Sequence, residues 1–122
     1  KMNPEREEQN MDCIFCKILA GEIPSKKIYE DETVLAFYDI NPQAPLHFLV
    51  IPKQHIESAA GIDEQNSAVI AHIFEVIAKL GRQLSEDGQY RVITNCGERV
   101  GQTVKHLHFH VLGGKDMTET LC

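Results

Sequence analysis

The order of elements legible in the sequence predicts an α+β fold: a five-stranded antiparallel sheet with a short N-terminal helix and one long helix packed on it. Three observations carry the prediction. Short runs rich in β-branched and aromatic residues recur, bounded by proline, glycine, asparagine and aspartate. One long segment repeats its apolar residues at three- and four-residue spacing. The links between neighbouring strand runs are short, which suits antiparallel pairing.

Asp12 is placed to cap a short helix over residues 13–20, closed by Gly21. Pro24 then forces an extended path. Residues 27–30 and 33–38 form a hairpin around Asp31 and Glu32. Asn41, Pro42 and Pro45 stiffen the next connection, and residues 47–51 are a continuous apolar strand ended by Pro52. Residues 63–84 are helical, with Ile70, Ile73, Phe74, Ile77, Leu80 and Leu84 on one stripe and Gly88 in the following turn. Residues 90–94 are a fourth strand, 95–103 a loop, and 106–112 a fifth strand.

A length of 122 residues fits one domain. We place it at residues 12–122, behind a polar, flexible arm at 1–11. Hydrophobic residues at 43% are enough for a core. No apolar run approaches the roughly 20 residues that span a bilayer, and no secretion signal is legible. The sequence therefore predicts a cytoplasmic chain with no membrane partner. A net charge of −6 argues against binding nucleic acid through a broad basic face. It leaves room for a small phosphate ligand held by local dipoles. Without an export signal, Cys13, Cys16, Cys96 and Cys122 read as thiols or metal ligands.

His106, His108 and His110 stand at alternate positions of the last strand run, so they project to one face while Leu107, Phe109 and Val111 take the other. Imidazole there suits nucleophilic catalysis, proton transfer or metal binding. Gly97 and Gly101 in the preceding loop allow backbone N–H groups to form an anion cradle. Thr103 adds a hydroxyl and Asn95 an amide. A phosphate cradle beside an imidazole nucleophile suggests attack on phosphorus.

The run from His106 to Val111 resembles the histidine triad of the HIT superfamily, three histidines alternating with apolar residues. Glu22-Ile23-Pro24, Asp39-Ile40, Gln43-Ala44-Pro45, His47-Phe48-Leu49-Val50-Ile51-Pro52-Lys53 and Gly101-Gln102-Thr103 resemble that family in the same order. The resemblance covers nearly the whole domain. Gln43-Ala44-Pro45 and the closing Val111-Leu112-Gly113-Gly114 resemble the Hint branch, the histidine triad nucleotide-binding proteins. It implies a purine nucleoside phosphoramidase, forming a homodimer with a ten-stranded sheet. His108 is then the nucleophile that forms a nucleotidyl-histidine, oriented by a backbone carbonyl near His106. His110 stabilises the phosphate, and Thr103 donates to it or to the leaving nitrogen. Gly101, Gln102 and Thr103 cradle the phosphate, and Asn95 fixes the 5′ side. Asp39 accepts from two ribose hydroxyls. Ile40, Phe37, Phe15 and Ile18 line the base slot, and His47 supports the triad from the third strand.

Cys13 and Cys16, three apart, share one side of a helix. His55 and His106 are the natural partners, and the resemblance to zinc-bearing HIT proteins suggests a Cys2His2 set. That set is closed and therefore structural. A pair of reduced thiols packed on the helix is the plainer alternative. A redox pair is a third, but the βαβ setting it usually has is missing. His72 reads as structural, and Cys122 as a mobile terminal thiol. Arg99 is placed to meet a second phosphate and Glu98 to repel it. The tail lacks the tryptophan that Hint tails often carry, so the leaving-group side is open. The same nucleophile serves a dinucleoside polyphosphate hydrolase. A nucleotide- or zinc-binding regulatory protein with incidental turnover is a rival of another class.

Overall fold

The computed structural model describes residues 13–120. The polar arm, Asp12 with its expected cap, and Cys122 lie outside the described residues. Five strands form one sheet: β1 (Lys27–Glu30), β2 (Val34–Tyr38), β3 (Leu46–Pro52), β4 (Arg91–Ile93) and β5 (Phe109–Gly113). Their order is β1-β2-β3-β5-β4, and every pair is antiparallel. Helix α1 (Ile14–Leu19) and helix α2 (Ser67–Leu84) cover its two faces.

Period-two alternation sorts each strand between the faces. Val34, Ala36, Phe48 and Val50 pack with Ile73, Val76, Ile77 and Leu80 of α2. Leu35, Phe37, Leu49 and Ile51 pack with Cys13, Phe15, Cys16 and Ile18 around α1. Double coverage explains why β3 reads as a continuous apolar run. Each large side chain fully buried here, such as Phe48, Ile51 and Ile73, contributes roughly 1.5–3 kcal/mol.

Strands β2, β3 and β4 differ from the sequence reading by one residue at one or both ends, and α1, α2 and β5 differ for reasons the structure shows. Helix α1 is capped by Cys13, whose Sγ accepts from the Cys16 N–H at 3.2 Å. Helix α2 starts at Ser67 because residues 63–66 form a closed turn. Asp63 accepts from the N–H groups of Gln65 and Asn66, and the Asn66 side chain closes back on the Asp63 N–H and the Gly61 carbonyl. The buried stripe of α2 runs through Val76, while Phe74 is half exposed, its ring 5.3 Å from that of Phe109. Strand β5 starts at Phe109 because the residues before it bond elsewhere. Leu107 N–H donates to the Ile56 carbonyl at 2.6 Å, and the Thr94 hydroxyl takes the His108 carbonyl at 2.8 Å.

No helix among the described residues is long and apolar enough to cross a membrane.

Candidate active site and metal cluster

The segment from His106 into β5 alternates between the two faces. Leu107, Phe109 and Val111 enter the core under α2, and the three histidines meet the α1 side. His106 is fully buried, His108 nearly so, and His110 partly open.

Hydrogen-bond partners fix the tautomers. His108 Nδ1–H donates to the His106 carbonyl at 2.7 Å, which leaves Nε2 with its lone pair free. The Phe15 ring stands edge-on to His108 at 5.1 Å. Gln43 N–H donates to His47 Nδ1 at 3.0 Å, so the His47 proton sits on Nε2. That proton points at His110 Nδ1, 3.0 Å away. His110 Nδ1 is therefore an acceptor, and its own proton sits on Nε2 as a donor. The site so holds one imidazole with a free lone pair beside one with a free N–H. Burial pushes His108 and His47 below the ordinary histidine value, and burial with two imidazole neighbours pushes His110 down to about 4. Neutral rings, as a nucleophile requires, are the result.

His106 lies on the same side, with its ring turned into the cluster of Cys13, Cys16 and His55. Its Nε2–H donates to the Pro52 carbonyl at 2.9 Å, turning the Nδ1 lone pair toward Cys13 Sγ at 3.3 Å and Cys16 Sγ at 3.5 Å. His55 Nδ1 lies 3.2 Å from Cys16 Sγ. The four donor atoms all lie within 4.8 Å of one another. A tetrahedral zinc with ordinary bond lengths holds sulfur and nitrogen donors about 3.6 Å apart. Two soft sulfurs and two imidazoles at these separations fit such an ion. Asp39, His47 and His110 also converge, with Asp39 Oδ2 3.4 Å from His47 Nε2. There the Gln43 N–H commits the His47 proton to Nε2, so that nitrogen has no lone pair for a metal.

Asp39 accepts from the Asn41 N–H at 2.7 Å through one oxygen, which leaves the other by His47. Phe15 and Phe37 stack edge-on at 5.6 Å with Ile18 in the same cluster. Ile40 is almost wholly exposed. Thr103 is exposed and its hydroxyl makes no bond within the described chain.

The loop from Asn95 to Gly101 departs from the expected cradle. The N–H groups of Gly101 and Gln102 donate to the Glu98 and Gly97 carbonyls, at 3.1 and 3.0 Å. The Gln102 side chain is buried and bonded to backbone. Neither N–H is left for the phosphate donation the sequence reading assigns it, whereas the Thr103 hydroxyl is unbonded among the described residues. Gly97 and Gly101, at φ of 105° and 102°, supply the turn itself. Asn95 packs on Gly101. Glu98 is ion-paired with Lys105 at 3.0 Å, while Arg99 is exposed with no ion-pair partner among the described residues. Sequence reasoning missed the Pro52 carbonyl, the Gln43 N–H and Thr94. The first two are backbone groups, which no side-chain pattern announces, and Thr94 acts through its hydroxyl on the His108 carbonyl.

An open cleft of 890 Å³ between the end of α2 and the tail, lined by Glu86, Tyr90, Arg91 and Met117 among others, contains no triad residue.

This geometry belongs to a protein class with a shared sequence. The family profile for the HIT domain matches residues 20–117. An uncharacterised HIT-like protein of Helicobacter pylori is 52% identical over 102 residues, covering 83% of this chain and 95% of that protein. A HIT family hydrolase from Clostridium thermocellum superposes with a TM-score of 0.87 at 47% identity, over 91% of this chain and 97% of that one. A histidine triad protein from Clostridium difficile gives 0.85 at 50% identity, over the same shares. The chain belongs to the HIT family.

Proposed function

We propose that the protein is a Hint-like purine nucleoside phosphoramidase. It cleaves the P–N bond of nucleoside 5′-phosphoramidates through a nucleotidyl-histidine. The observation that carries this reading is the 2.7 Å bond from His108 Nδ1–H to the His106 carbonyl. It aims a neutral, nucleophilic Nε2 at the substrate and stabilises the cationic ring that forms when Nε2 bonds phosphorus. In the first step the Nε2–P bond forms and the P–N bond breaks. The amine leaves with a proton delivered through the Thr103 hydroxyl from solvent. Water then adds to phosphorus, the Nε2–P bond breaks, and the monophosphate departs as the extra proton passes to solvent. Splitting the reaction gives two easier barriers. The His110 Nε2–H, held by His47, donates to a phosphate oxygen. Asp39 binds the ribose, and Phe15, Phe37, Ile18 and Ile40 hold the base.

Zinc is the ion that Cys13, Cys16, His55 and His106 would hold, and its work there is structural. A homodimer joined along β4 and α2 fits the half-buried Val92 and Ile93 and the exposed Phe74. One observation favours a second reading. Arg99, unpaired beside a neutralised Glu98, suits an anionic leaving group, as in a dinucleoside polyphosphate.

The test is monophosphate release from an adenosine 5′-phosphoramidate, with a diadenosine polyphosphate alongside. Preference for the phosphoramidate supports the proposal. Preference for the diadenosine compound moves the protein to the second reading. Binding of AMP with neither turned over leaves a nucleotide-binding role.

A further inference from the structure

Gln102 precedes Thr103 at the mouth of the site, and its side chain is spent on the protein. Oε1 accepts from the Gly97 N–H at 2.8 Å, and Nε2 donates to the carbonyls of Glu57 at 2.8 Å and Val104 at 3.0 Å. Only one amide orientation satisfies an N–H and two carbonyls at once, so the assignment of oxygen and nitrogen follows from the partners. Both amide hydrogens are used, and none is left for a phosphate oxygen.

The three anchors belong to different parts of the site. Gly97 opens the phosphate loop, and Val104 leads into the triad. Glu57 lies in a segment that touches everything else: His55 in the metal cluster, the Ile56 carbonyl holding Leu107 N–H, and the Ser58 hydroxyl accepting from Cys96 Sγ at 3.4 Å. Residues 55–58 are thus a girder between metal cluster, triad and loop, and Gln102 is the cross-tie that joins the loop to it.

We infer that Gln102 is a positioning residue that makes no ligand contact, and that locks the phosphate loop and Thr103 in register with the triad through the Glu57 and Val104 backbone. The inference rests on reading this loop as the phosphate side of a nucleotide site.

The experiment compares the full chain with Gln102→Ala and Gln102→Glu. It measures amide hydrogen exchange at Gly97 without ligand, and binding of AMP and of adenosine by calorimetry. In Gln102→Ala the Gly97 amide should exchange about tenfold faster or more, and AMP affinity should fall about tenfold, while adenosine binding stays within about twofold. Gln102→Glu separates positioning from general packing. An ionised carboxylate cannot donate to the two carbonyls, whereas a protonated one can serve one of them. Its AMP affinity relative to the parent should therefore recover as pH is lowered from about 8 to about 5. AMP affinity lost with Gly97 exchange unchanged would make Gln102 a ligand contact and overturn the inference. AMP affinity unchanged in Gln102→Ala would overturn it too. If Gln102→Ala does not fold, the pH response of Gln102→Glu decides alone. Absence of phosphoramidate turnover in the parent would sink the proposed function and leave this binding test intact.

Discussion

His106 works through three groups at once. Its Nε2–H holds the Pro52 carbonyl, its Nδ1 faces two thiols, and its own carbonyl fixes the His108 tautomer. The four-donor cluster and the proposed nucleophile His108 therefore share one residue. His47 plays the matching part for His110: with Gln43 N–H on one nitrogen, it can only donate from the other. Replacing it, as in His47→Leu, frees His110 to adopt the wrong tautomer. Single-turnover kinetics on an adenosine phosphoramidate should show the chemical step slowed about 10–100-fold, the range for lost supporting partners. An unchanged rate would mean that His110 is not set by His47. At this scale the sequence shows which histidines share a face, because alternation is a property of the strand itself. It does not show the tautomers. Their partners, the Pro52 carbonyl and the Gln43 amide, are backbone groups without a residue-type signal.

Helix α2 and the β1–β2 hairpin are joined by a charged clamp. His72 on the helix donates to Asp31 Oδ2 at 2.6 Å and to Glu75 at 3.0 Å, and the Tyr29 hydroxyl also donates to Asp31. Bonding to both carboxylates raises His72 above its ordinary value. Bonds from His72, Tyr29 and the Thr33 and Val34 N–H groups overcome burial to hold Asp31 well below its own. A raised histidine stabilises the fold fully below its unfolded value near 6.5, and that part is lost as pH rises through the folded value. A lowered aspartate stabilises above about 3.9, and that part is lost as pH falls through its folded value. His72→Gln should thus destabilise the protein at about pH 5.5 and hardly at all at high pH. The effect should stay below about 1 kcal/mol because the pair is near the surface. Urea melts at both pH values check this, and an equal loss at both would contradict it. The sequence marks the hairpin turn at Asp31 but not the clamp, since Asp31 and His72 lie 41 positions apart. The same limit explains the loop: its glycines are legible, but the direction of its N–H groups is set by Gln102 and by carbonyls of the loop itself.

The whole molecule is a sheet covered on both faces, with the candidate active-site histidines and the four-donor cluster on the α1 side. The succession of elements, their antiparallel pairing and the packing of two helices on the sheet are legible from apolar periodicity and short links, and the Cys2His2 set from spacing and resemblance together. The spatial order that puts β5 between β3 and β4 is not legible, because it depends on pairing between residues far apart in the chain. If α1 is pinned to the triad segment by a metal, its removal should act on both fold and site. Chelation of the purified protein, or Cys16→Ser, should lower the thermal midpoint by several degrees. Elemental analysis should show about one zinc per chain in the parent and little in the variant. A parent without metal would contradict this. The β4 edge and the exposed Phe74 predict a dimer by sedimentation at micromolar concentration, weakened by Phe74→Glu. A parent that sediments as a monomer would rule the interface out.

The proposed function turns on His108 bonding phosphorus through Nε2. The most direct measurement is mass spectrometry of the protein acid-quenched or base-quenched during turnover of an adenosine 5′-phosphoramidate, with peptide mapping of any adduct. One adenylyl group should appear on the peptide carrying His108, and none in His108→Ala, whose turnover should be lost. An adduct on another residue, or full turnover in His108→Ala, would contradict it.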